Sequence, residues 1–132
     1  NWLRELDTWP GKVPELARNL ADPRAKLFVT AAALRCRRDH PDLFASGGYT
    51  PVGATGAQAG HAFAYLRTSG PRAALVVVPR LPVGLEASGW GDTALALPPE
   101  YTSASWKNVL TGETVAAPGG TLRVAEVPGA FP

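Results

Sequence analysis

The stretch Lys26–Val52, KLFVTAAALRCRRDHPDLFASGGYTPV, decides the fold, because its periodicity changes part-way along. Leu27, Phe28, Ala31 and Leu34 recur at helical spacing and predict one apolar stripe. Just upstream, Asp22-Pro23 is the clearest helix start in the chain. Asp22 can accept from the orphan amides as an N-cap, and Pro23 sits at the first helical position, where its missing N–H costs nothing. Arg35, Arg37 and Arg38 fall in the last turns, where positive charge suits the helix dipole. His40-Pro41 marks the end, since a residue before proline disfavours the α region. Leu43 and Phe44 form an apolar anchor before Ser46-Gly47-Gly48. The glycine pair reads as a hinge, because glycine adopts unusual dihedrals at low cost.

Working towards the N-terminus, Trp2, Leu3, Leu6 and Trp9 would line one side of a first helix. Pro10-Gly11 predicts its stop. Pro14 then suits the first turn of a short helix through Leu20.

Towards the C-terminus, short apolar runs alternate with Gly, Pro and Ser at the spacing of an all-β unit. Strands are predicted near Tyr49–Val52, His61–Arg67, Ala73–Arg80, Thr93–Leu97, Ser105–Leu110, Glu113–Ala116 and Thr121–Val127. Ala73–Val78 is apolar on both faces and reads as a central strand. Thr111-Gly112 predicts a tight hairpin, and Pro118-Gly119-Gly120 the next turn. The reading is an α+β chain: a helical segment over 1–46, then an antiparallel β-sandwich of Greek-key type over 47–132.

Composition narrows the function. The 132 residues carry 13 basic and 11 acidic side chains, a net charge of +2. That is too little for a nucleic-acid stripe. No apolar run reaches the ~18–20 residues of a membrane span, and no basic stretch with an apolar run behind it opens the chain, so a secretory signal is not expected. Cys36 is the one cysteine, and His40 and His61 are the two histidines. A disulfide within the chain is excluded, and neither a metal centre nor a cofactor site is expected. The sequence contains no Met, so the chain is expected to be a processed or excised piece.

Sugar chemistry runs on paired carboxylates. Glu86, Asp92, Glu100, Glu113 and Glu126 are scattered over turns and strand ends, with no spacing that pairs them. Cys36 has Arg35 and Arg37 beside it in sequence, but adjacent helical residues do not face each other. It reads as a structural thiol, and His40 and His61 as structural polar residues. No nucleophile elbow or phosphate loop is present. No catalytic residue is assigned. Trp90, between Gly89 and Gly91, and Tyr101 are the candidate carbohydrate contacts, because a sugar's apolar face stacks on an exposed ring. Trp106 alternates with Lys107 on a strand, where core packing is the default.

The Lys26–Val52 run resembles the join between the last barrel helix and the C-terminal β-domain of α-amylase-family enzymes. The matching residues are Leu34, Arg37, Arg38, His40, Pro41, Leu43, Phe44, Gly48 and Tyr49. VVVPRL (Val76–Leu81), WGDTALALP (Trp90–Pro98), WKNVLTGE (Trp106–Glu113) and GGTLRVAEV (Gly119–Val127) follow in order. Together they resemble the C-terminal end of the maltooligosyl trehalose synthases, from about Leu20 onward.

The resemblance implies a bacterial, cytoplasmic, intramolecular transglucosylase. Such enzymes convert the reducing-end α-1,4 linkage of a maltooligosaccharide into an α,α-1,1 linkage, with a retaining mechanism. Their nucleophile, general acid and assisting aspartate lie in a barrel upstream of this region, so none is carried over. The implied partners are that barrel and the maltooligosaccharide, with no nucleic acid and no membrane. The family also implies a closing strand beyond Pro132. The alternatives are a carbohydrate-binding module, or the C-terminal domain of a trehalohydrolase or debranching enzyme.

Overall fold

A computed structural model describes residues 2–19, 21–81, 83, 85 and 89–127. Leu20, Glu86 and the terminal Phe131-Pro132 lie outside the described residues, as do the side chains of Trp2 and Leu3. Among the described residues, four α-helices precede the strands: α1 (Trp2–Glu5), α2 (Val13–Arg18), α3 (Pro23–Asp39) and α4 (Pro41–Phe44).

Pro10-Gly11 does not stop the first helical run. A 3-10 segment, Leu6–Lys12, carries the chain through that pair from α1 into α2. The reason is tertiary. Leu6, Trp9, Val13 and Leu16 keep helical spacing across Pro10-Gly11, and all four are buried with Ala25 and Phe28. Each of the larger side chains contributes about 1.5–3 kcal/mol of burial, which outweighs a local stop signal.

Asp22 caps α3 as expected. Its Oδ1 accepts from the Arg24 N–H at 2.9 Å, and Pro23 opens the first turn. The Arg24 guanidinium also grips the Asp22 carboxylate, at 2.6 Å from Nη2 to Oδ2, and reaches Glu15 on α2 at 3.4 Å. The α3 stripe differs from expectation. Phe28 is buried, and Leu27 and Ala31 pack partly against the cluster, but Leu34 is 59% exposed. The leader packs largely on itself, so the stripe narrows to the side facing α2.

Gly47 is needed for space rather than for dihedral freedom. A Cβ there would strike the Leu43 carbonyl oxygen and lie 2.8 Å from the Thr68 carbonyl oxygen. The α4 turn therefore sits directly against the strand that carries Thr68. Arg67 Nη2 donates to Gly47 O at 3.0 Å, and Arg72 pairs with Asp42 at 2.7 Å and touches His40.

The first antiparallel sheet is ordered β1 (Gly48–Val52), β3 (Ala62–Ser69), β4 (Arg72–Pro79). The second is β2 (Ala54–Thr55), β5 (Ala94–Ala96), β8 (Thr121–Arg123), and β6 (Ser105–Lys107) pairs with β7 (Thr114–Ala116). Val52, Ala64 and Leu66 from the first sheet share a core with Leu95 and Leu122 from the second. Strand β4 is therefore not central. Among the described residues it pairs with β3 alone, and β3 holds the middle. Its two apolar faces mark two faces to cover, not two strand neighbours.

Several strands are shorter than expected. Ser105–Lys107 ends where Asn108 starts a turn, and Val124–Glu126 forms a 3-10 turn rather than extending β8. The β6–β7 turn centres on Asn108, not on Thr111-Gly112 alone. Asn108 Oδ1 accepts from the Leu110 and Thr111 amides at 2.9 and 3.3 Å. Its Nδ2 donates to Val127 O at 2.9 Å. That side-chain mimic of a turn needs the extra residues.

Candidate functional site

The stretch Trp90–Thr93 forms the tightest polar junction in the β region. Gly56 has φ +101°, and a Cβ on it would lie 2.8 Å from Thr93 Cα. That close approach needs a glycine in the left-handed region. It lets Asp92 Oδ1 accept from the Ala57 N–H at 3.2 Å, and the fully buried Thr93 accept through Oγ1 from the Gln58 N–H at 3.0 Å. The Thr93 amide donates to Trp90 O at 3.1 Å, and its carbonyl accepts from the Val124 amide at 3.0 Å. Asp92 Oδ1 and the backbone and hydroxyl of Thr93 thus hold three chain segments together.

Trp90 is half-buried against the core, so most of its ring is occupied by packing. Tyr101 is half-buried too, and its ring lies 5.6 Å from Trp106 at an interplanar angle of 52°. Both rings pack partly against the core shared by the two sheets. Trp106 joins the same core, with its indole N–H buried and without a hydrogen bond.

Several other titratable groups are engaged in structure. Cys36 lies in a groove between α3 and the β6–β7 turn, lined also by Phe28, His40, Lys107 and Leu110. Burial, and secondarily the charge of Asp39, pushes its thiol pKa up, away from a reactive thiolate. Asp39 accepts from Arg38 Nε at 2.8 Å, and Arg35 pairs with Asp7 at 2.9 Å. His61 Nδ1 lies 3.1 Å from Arg80 O. Glu113 Oε2 accepts from Thr111 Oγ1 at 3.1 Å. Among the described residues no cluster of three or more His, Cys, Asp or Glu side chains could hold a metal ion.

What sequence reasoning missed is Thr93 and Asn108, whose roles depend on partners 35 and 19 residues away. The Trp90–Thr93 motif was visible, but its purpose was not.

No protein-family profile matches the chain. Over 89 residues, 67% of this chain, it is 45% identical to the proteins provisionally named maltooligosyl trehalose synthase in two Mycobacterium tuberculosis strains, CDC 1551 and H37Rv. The chain is a homologue of part of maltooligosyl trehalose synthase. The solved maltooligosyltrehalose synthase from Arthrobacter ramosus superimposes with a TM-score of 0.66 at 39% identity, over 83% of this chain. A single-residue mutant of that synthase gives 0.65 at the same identity. The match spans 11% of the mycobacterial synthases and 13% of the Arthrobacter synthase.

Proposed function

We propose that this chain is the C-terminal, non-catalytic part of an intramolecular transglucosylase that makes maltooligosyl trehalose. One observation carries the reading: 45% identity confined to about a tenth of proteins given that name. The engagement of Asp92, Glu113, Asp39 and Asp42 in local hydrogen bonds and ion pairs supports it, because a retaining mechanism needs two carboxylates facing one bond. On this reading residues 1–46 are the terminal helices of a barrel that lies upstream, and 47–132 a Greek-key β-domain. The maltooligosaccharide binds the whole enzyme, in the cytoplasm of a bacterium. No helix among the described residues is long and apolar enough to cross a membrane. Trp90 and Tyr101 are the residues of this chain that would meet the glucan.

The test is the coding sequence upstream of Asn1. A barrel carrying two carboxylates and an assisting aspartate is expected there. A stop codon or a signal peptide contradicts the proposal.

A further inference from the structure

The outer side of the first sheet is chemically odd. Along β3, Ala64 and Leu66 are buried in the core, so Phe63, Tyr65 and Arg67 face away from it. The pairing sets Val78 beside Phe63 and Val76 beside Tyr65, and puts Tyr49 opposite Arg67. The Tyr65 ring lies 5.1 Å from Tyr49 and 6.0 Å from Phe63, which places the three aromatics on one surface. Tyr49 is 54% exposed, Phe63 47% and Val78 42%. Arg67 and, by the same alternation, Arg72 are the charges on this side, and both are engaged: Arg67 Nη2 by Gly47 O, and Arg72 by Asp42. An antiparallel sheet that faces water normally alternates apolar inside with polar outside. This one carries an apolar stretch on both sides, with Arg67, Ser69 and Arg72 towards one end of the outer side.

We propose that the face formed by Tyr49, Phe63, Tyr65, Val76 and Val78 is where the remainder of the larger polypeptide packs. This rests on the reading of the chain as one segment of such a polypeptide. Area selects that occupant over a second copy of the chain. The exposed parts of these side chains amount to roughly 300–400 Å², from the ~150–250 Å² that an aromatic side chain can bury. A stable association between separate molecules takes about 800 Å² per partner. A tethered segment does not lose the translational freedom that separate partners lose, so the smaller patch suffices. The relatives have the chain to supply it, since the match spans only 11–13% of their length. A glucan fits less well, because Val76 and Val78 offer it no stacking surface and no hydrogen bonds.

Hydroxyl-radical footprinting tests this on two proteins, the 132-residue chain and the longer polypeptide that its gene encodes. Tyr101, which is not on this face, serves as the internal reference. The expected result is severalfold slower labelling of Tyr49 and Phe63 in the longer polypeptide, with Tyr101 unchanged. Equal labelling in both overturns the assignment of this face and leaves the transglucosylase reading standing. Protection already present in the short chain also overturns it. Sedimentation then assigns the cover to a second copy if the chain is dimeric, and to its own residues if it is monomeric. A gene that encodes no further polypeptide overturns both readings together.

Discussion

The buried Thr93 hydroxyl accepts a hydrogen bond from the Gln58 amide at 3.0 Å, across 35 residues of sequence. It joins the turn after β2 to the start of β5, the middle strand of the second sheet. Thr93→Val keeps the shape and removes the acceptor. The Gln58 N–H then loses this partner, and stability should fall by about 1–3 kcal/mol. Thr93→Ser should lose less. Urea denaturation of the two variants checks the order.

Gly47 offers a steric test. Gly47→Ala places a methyl group against backbone oxygens of Leu43 and Thr68, neither of which can swing aside. Overpacking of this kind costs about 1–3 kcal/mol. Gly11→Ala, where a Cβ meets nothing within 4 Å, is the matched control and should be nearly neutral. Thermal melts of the pair should separate clearly.

The cap of α3 makes the leader sensitive to acid. The Arg24 side chain, then the Arg24 amide, hold the Asp22 carboxyl below its ordinary pKa. A carboxylate lowered on folding contributes stability above its unfolded pKa and loses it as pH falls through the folded one. The leader should therefore loosen at acid pH, below the ordinary carboxylate range. Asp22→Asn keeps a capping oxygen but removes this titration. Circular dichroism at 222 nm from pH 7 to pH 2 should show an acid loss of helix that is smaller in the Asn variant.

Trp90→Ala separates packing from glucan contact. The ring packs against the shared core, so the substitution should cost about 2–4 kcal/mol, towards the lower part of the range for large aromatic deletions. Affinity of the isolated chain for maltopentaose should stay weaker than millimolar in both proteins, which is about −4 kcal/mol or less in magnitude. Calorimetry showing micromolar binding that is lost in the variant would favour a carbohydrate-binding module.

Local signals in the sequence were read correctly where the physics is local. Asp22-Pro23 and His40-Pro41 bound α3 because a cap and a proline act within a few residues. Pro10-Gly11 misled because Trp9 and Val13 are held by Leu16 and Phe28, and burial overrode the turn signal. The pattern was nonetheless visible, since Leu6, Trp9, Val13 and Leu16 keep one spacing throughout. Leu34 looked like part of the stripe, and spacing alone cannot say how wide a neighbour is. For β4, apolar residues on both sides reported coverage and not strand order. The bonds of Thr93 to Gln58 and of Asn108 to Val127 were illegible because those partners are distant in sequence, whereas the bonds of Asn108 to Leu110 and Thr111 are local. The likeness to maltooligosyl trehalose synthase was legible in runs such as Trp106–Glu113, although the structure shows those residues working as turns and core.

The proposal most in need of a test is that this chain is the non-catalytic part of a larger transglucosylase. The most direct measurement is product chromatography after prolonged incubation with maltopentaose, run in parallel for the 132-residue chain and for the longer polypeptide its gene encodes. The account predicts maltooligosyl trehalose from the longer polypeptide, and from this chain nothing above a buffer control. Trehalose-terminated product from the 132 residues alone would contradict it.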